Sequence, residues 1–117
     1  MSNNKSFVVK NGLQAQRYLQ SAVPMGANDV DLSLGTYFSK TISGATTLTF
    51  SNPPASGLAI GFAVEINGDG SAITWPASVK WPAGTAPTAT TTKEIYTFIT
   101  TDGGTTYYGK QAATELV

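Results

Sequence analysis

The carboxylates are the first side chains to weigh as chemical groups, because the 117-residue chain has neither histidine nor cysteine. The commonest general base and the commonest metal ligand are therefore missing together. Disulfides, thiol catalysis and zinc–thiolate sites are excluded with them. Serine and threonine are plentiful, but there is no imidazole to activate a hydroxyl. Asp29 and Asp31 stand two residues apart, a spacing that places both on one face of a strand. Paired carboxylates held about 5–10 Å apart can do acid–base or glycosidic chemistry. No aromatic sugar platform lies beside this pair, and solvated aspartates at a strand start are the better reading. Asp69 and Asp102 each stand in a glycine-containing turn and could offer oxygens to Ca²⁺. A calcium loop gathers several carboxylates in register; neither turn does, so turn formation is their expected role. No glycine-rich phosphate loop precedes a helix, since no long helical pattern exists. The expectation is a protein that is not an enzyme and that uses no cofactor and no metal.

A second set of residues is suited to recognition rather than reaction. Trp75, Trp81, Tyr107 and Tyr108, if exposed and clustered, could stack on the sugar rings of a glycan or on bases. Bases need a basic surround, and none is present. The alternative is that the tryptophans pack at the edge of a β core, with Pro76 and Pro82 fixing the loop that carries them. That packing role is the preferred reading, and the surface-recognition role stays open beside it.

The elements that must hold these residues are strands. Residues 58–66 alternate strictly: Leu58, Ile60, Phe62, Val64 and Ile66 point one way, and Ala59, Gly61, Ala63 and Glu65 the other. The second face is small rather than charged, so Ala59, Gly61 and Ala63 are candidate subunit-contact residues; a loop of the same domain covering them is the plainer alternative. Asn67-Gly68-Asp69-Gly70 reads as a turn, after which Ile73 and Trp75 resume alternation, predicting a hairpin over 58–75. Tyr37–Ile42 and Thr46–Phe50 around Ser43-Gly44-Ala45 predict a second hairpin. Residues 94–101 and 105–110, around Asp102-Gly103-Gly104, predict a third. Asn52-Pro53-Pro54 is a firm break, and 83–92 is loop.

The first 27 residues differ in character. Phe7, Val8 and Val9 suit a short strand, Gln14 to Leu19 another strand or a helical turn or two, and 21–28 a linker. Such an arm can dock on a neighbour or add a strand to a sheet, which makes Phe7, Val8 and Val9 further candidate subunit-contact residues. A terminal strand of the chain's own domain is the other option. The predicted organisation is an N-terminal arm or docking segment over 1–27 and one domain over 28–117. The predicted class is all-β: a single small antiparallel β-sandwich or jelly-roll-like domain with an extended arm.

Composition narrows the partners. Hydrophobic residues make up 41%, enough for a core, but charged residues only 12%, about half the usual share. Seven basic residues balance seven acidic ones. Proteins that hold nucleic acid or an anionic membrane carry a basic excess, so neither is an expected partner. The apolar runs at 7–9 and 58–64 are too short for a signal-peptide core and a spanning helix respectively, and synthesis in a cytoplasm without export is expected. A nearly uncharged surface favours association.

Val30-Asp31-Leu32-Ser33, Gly35-Thr36-Tyr37-Phe38 and Gly44 through Pro54 together resemble a small β domain of tailed-bacteriophage virion proteins, among them capsid decoration (cement) and tail-fibre-like proteins. The resemblance continues through Ile73-Thr74-Trp75-Pro76 to Trp81-Pro82 and ends with Asp102-Gly103-Gly104 through Gly109, covering roughly residues 30–110. The paired Trp-Pro motifs with the Asp-Gly-Gly turn carry most of it. Phe7 through Leu13 also look like the start of phage fibre and head-decoration chains. The resemblance implies a virion location, homotrimeric assembly, and the major capsid protein or other virion proteins as partners. A compact domain of this length reaches only a few nanometres, which favours a decoration protein over a fibre. A tail-fibre or receptor-binding module contacting a host glycan is the alternative.

Overall fold

The computed structural model describes residues 8–117. Its strands are β1 (Val23–Pro24), β2 (Asp29–Asp31), β3 (Tyr37–Thr41), β4 (Thr46–Thr47), β5 (Thr49–Ser51), β6 (Ile60–Asn67), β7 (Ile73–Thr74), β8 (Val79–Lys80), β9 (Lys93–Thr100) and β10 (Tyr107–Leu116). Among the described residues there is no α-helix; a single 3-10 turn occupies Pro82–Gly84. The chain is thus nearly all β.

Six strands form one mixed sheet in the order β1-β3-β6-β9-β10-β8. Phe62, Val64 and Ile66 of β6 and Tyr96 and Phe98 of β9 point to its inner face, as period-two alternation requires. Two short parallel pairs, β2–β5 and β4–β7, complete the strand set. Val30 of β2, Leu48 between β4 and β5, and Trp75 just after β7 join the inner face in one buried core with Phe38, Ile42, Val79 and Tyr107. The partly buried Phe50 ring packs against this core, 5.3 Å from Phe62, 5.1 Å from Phe98 and 4.9 Å from Tyr107. All three contacts are edge-on, the geometry in which aromatic quadrupoles attract.

Only one of the three expected hairpins forms: β9 and β10 pair antiparallel across the Asp102-Gly103-Gly104 turn. The other two are replaced by arches. β3 pairs parallel with β6, and β4 pairs parallel with β7. Both corners therefore carry the chain from the main sheet to the same β4–β7 pair, and one corner stacks on the other. The backbone joins them, with Ile42 N–H donating to Asn67 O at 2.9 Å and Thr46 N–H to Ala72 O at 3.0 Å. The physical reason lies at Gly68. Its N–H donates to Thr92 O, and the Gly70 N–H to Thr90 O. The backbone there lies so close to the neighbouring loop that a Cβ on Gly68 would fall 2.2 Å from Thr90 O. Asp69 meanwhile accepts the Gly44 N–H at 2.9 Å. Apart from the Ser71 N–H, which donates to Asp69 Oδ1 within the turn, these hydrogen bonds go to other segments and draw β7 away from β6. Among the described residues, antiparallel pairing is confined to β6–β9 and β9–β10; the other five pairings are parallel. The expectation of an antiparallel domain is corrected accordingly.

Leu58, expected on the inward face, precedes β6 and is 61% exposed. Residues 8–20 form neither strand nor helix and are exposed throughout, so the expected elements at Val8–Val9 and Gln14–Leu19 are absent; Phe7 lies outside the described residues. Within the segment expected to be linker, Val23–Pro24 adds to the sheet beside Phe38–Ser39. The sheet ends on two-residue strands at both edges. β10 runs on past β8 through register shifts at Gln111/Ala113 and Ala113/Leu116.

Candidate functional site

The outer face of the main sheet holds the site. Strand register aligns two rows of side chains there. Gly61, Ile99, Tyr108 and Lys80 form one; Tyr37, Ala63, Thr97 and Lys110 form the other. Glycine and alanine make a low floor while tyrosine and isoleucine rise beside it, so the rows enclose a groove of about 900 Å³. Its lining is mostly apolar. Trp81 and Pro82 border it, as do Gln20 and Thr36, which are hydrogen-bonded to each other. Ile99 is 44% and Tyr108 59% exposed. Among the described residues, no segment covers these side chains.

Beside the groove, the Tyr37 hydroxyl donates to Glu65 Oε1 at 2.6 Å, and Lys93 Nζ lies 3.5 Å from Glu65 Oε2. The Tyr37 hydrogen bond, helped by the Lys93 charge, holds the Glu65 carboxyl below its ordinary value. The same bond pushes the Tyr37 hydroxyl up. These groups orient one another and fix the Tyr37 ring as a wall of the groove.

Two sets of residues singled out separately in the sequence meet here. Gly61 and Ala63 provide the floor, and Trp81 and Tyr108 line the same groove. Ala59 is exposed ahead of β6, apart from the lining. Val8 and Val9 are exposed in the arm, and Phe7 is outside the described residues. Trp75 and Tyr107 are buried, at 8% and 3% exposure. Trp75 packs 4.7 Å from Tyr96 and 5.3 Å from Phe98 between ring centroids, so it and Tyr107 present no recognition surface. Trp81, 5.7 Å from Trp75, links the core to the groove.

Tyr37, Thr97 and Ile99 were missed, although β9 carries a signal for two of them. Ile95-Tyr96-Thr97-Phe98-Ile99 is apolar on both faces except at Thr97, a pattern that goes with a strand covered on both sides.

The carboxylates act as fasteners. Asp29 accepts from the Thr49 hydroxyl at 2.7 Å and the Ser51 hydroxyl at 2.5 Å, tying β2 to β5. Asp31 accepts from Asn52 Nδ2 at 2.9 Å, and from the Ser33 hydroxyl and N–H at 2.6 and 3.0 Å. The Asn52 bond does most to hold the Asp31 carboxyl below its usual range. Asp69 joins two corners as described, and Asp102 accepts from the Thr106 N–H and the Thr100 hydroxyl within its turn. Glu94, unnoticed in the sequence, is fully buried. It accepts from Gln111 Nε2 at 2.6 Å, from the Thr114 and Tyr96 hydroxyls at 3.1 Å each, and from the Thr90 N–H at 3.3 Å. That network satisfies its oxygens and ties β9, β10 and the loop before β9 together. Among the described residues, no three acidic side chains converge on a point where a cation could be held. Comparison with known protein families, characterised proteins and solved structures finds no match to this chain.

Proposed function

We propose that the chain is a bacteriophage virion structural protein, a capsid decoration protein that assembles as a homotrimer and stabilises the head by burying surface against its neighbours. The observation that supports this most is the uncovered apolar groove on the outer sheet face, floored by Gly61 and Ala63. Small residues let another backbone approach closely, and an apolar, nearly uncharged surface loses little on desolvation when covered. Repetition over a symmetric shell multiplies a weak contact through multivalency, and each bound copy favours the assembled state by mass action. The resemblance of residues 30–110 to virion domains is a separate support. On the same reading, the two short strand pairs are the second layer of a sandwich. The carboxylates of Asp29, Asp31, Glu65, Asp69, Glu94 and Asp102, engaged in holding the fold, fit a protein without catalytic chemistry.

The test is the stoichiometry of the chain in purified particles against the major capsid protein. Hundreds of copies on the head are expected, together with heads that lose heat resistance when the chain is missing. Detection on the tail alone overturns the decoration reading.

Trp81 and Tyr108 at the groove favour a second reading, a fibre-associated module that stacks a host glycan on their rings. It predicts few copies per particle, and lost adsorption in a Trp81→Ala, Tyr108→Ala double variant.

A further inference from the structure

The groove is an uncovered apolar surface among the described residues, and it is accompanied by a second. The second is the arm, where Val8, Leu13, Tyr18 and Leu19 are 70–79% exposed. Isolated exposed apolar residues are ordinary, but a run of them on a segment without secondary structure, joined to a body with an open apolar groove, is not. The arm enters the body at the groove itself, where Gln20 lines it and bonds to Thr36.

We infer that the groove receives the arm of a second copy of this chain, Val8, Val9 and Leu13 seating over Gly61 and Ala63 between Tyr37 and Ile99. The inference rests on the reading of the chain as an assembling building block and names the occupant of its contact surface. Reach permits it. Residues 8–20 span up to about 43 Å when extended, which exceeds the 28–30 Å width of the molecule along its shorter axes. Direction favours it over docking on the chain's own groove. Residues 8–19 are exposed throughout, so the arm is not seated on its own body, and the radius of gyration, 15.0 Å, exceeds the about 13 Å of a compact chain of this length. Stoichiometry favours it over an unrelated partner, since every copy brings one arm and one groove. Such a contact is heterologous, and where the rotation between copies closes, it forms a ring in which each groove is filled. A trimer satisfies this.

The test uses full-length chains and native mass spectrometry with sedimentation velocity. One variant carries Val8→Asp, Val9→Asp and Leu13→Asp, and another Ala63→Trp. Both change exposed or outward-facing positions, and circular dichroism checks that each folds. The unmodified chain is expected to be a closed oligomer, and each variant to associate at least tenfold more weakly. Mixing the two variants should restore a heterodimer, because one supplies an intact groove and the other an intact arm. Oligomers that survive the arm substitutions would overturn the inference in favour of face-to-face packing of copies. A monomeric unmodified chain would overturn it as well. If that monomer still enters particles at capsid-like stoichiometry, arm exchange fails while the building-block reading stands.

Discussion

Replacing Tyr96 by phenylalanine should make the protein less stable near neutrality and more stable at high pH, an inversion that follows from one buried hydroxyl. Tyr96 is fully buried, and its hydroxyl donates to Glu94 at 3.1 Å. Burial first, and the Glu94 charge second, push its ionisation from 10.0 up to about 12. At pH 8 the substitution removes a hydrogen bond to a charged acceptor, but Glu94 keeps Gln111, Thr114 and the Thr90 N–H. The cost is about 1 kcal/mol. At alkaline pH the sign reverses. A folded-state pKa above the unfolded value means that the stabilisation is complete below pH 10 and is lost as pH rises through 12. Two units correspond to about 2.7 kcal/mol in full, and about 1.4 kcal/mol is gone by pH 11. Phenylalanine has no proton to lose, so the two stability curves should cross between about pH 10 and 11. Urea unfolding followed by tryptophan fluorescence at half-unit intervals from pH 8 to 11.5 measures both. Tyr37 and Tyr107, also raised, are common to both proteins and cancel in the difference. Parallel curves over that range would refute the account of Tyr96 and the role given to Glu94.

At acid pH the direction is set by Asp31, Glu65, Asp69 and Asp102, whose carboxyls are all held below their ordinary values. Their stabilisation is present above about pH 4 and is lost as pH falls through the depressed values. The urea midpoint should drop between pH 4 and 2, and Asp69→Asn should remove part of that drop. Gly109→Ala places a Cβ 2.7 Å from two ring carbons of Phe98 and 3.0 Å from Val79; the overpacking should cost about 1–3 kcal/mol in urea unfolding, with the fold retained by circular dichroism. Phe50→Ala removes the ring that contacts Phe62, Trp75, Phe98 and Tyr107. A loss of about 3 kcal/mol is expected, with altered near-ultraviolet dichroism from Trp75.

Local periodicity in the sequence reveals the strands here but not their partners. The alternation of β6 and the Asp-Gly-Gly hairpin of β9 and β10 are legible because both are local: side chains two apart in one case, a short turn in the other. The arches are not. Ser43-Gly44-Ala45 and Asn67-Gly68-Asp69-Gly70 have hairpin composition, and what turns them into corners is distant: the Thr90–Thr92 backbone against Gly68 and the Asp69 carboxylate on Gly44. The groove was half legible for the same reason. Gly61 and Ala63 stand out on their own strand, while Tyr37 and Tyr108 join them only through the β3–β6 and β9–β10 registers. Glu94 escaped notice because a lone glutamate at a strand start looks solvated; its partners Gln111 and Thr114 are about twenty residues away.

The sheet's margins govern how such a molecule behaves when crowded. With no net charge, copies do not repel one another, and an open strand margin would invite endless lateral growth into fibrils. One margin is a two-residue strand containing proline, which lacks an N–H to offer. On the other side, the stretch of β10 beyond β8 shifts register twice, and Glu115 takes a positive φ, so it is not a flat, regular template. Filament-like stacking is obstructed at both borders, so a concentrated solution of this chain is steered toward contacts of finite size.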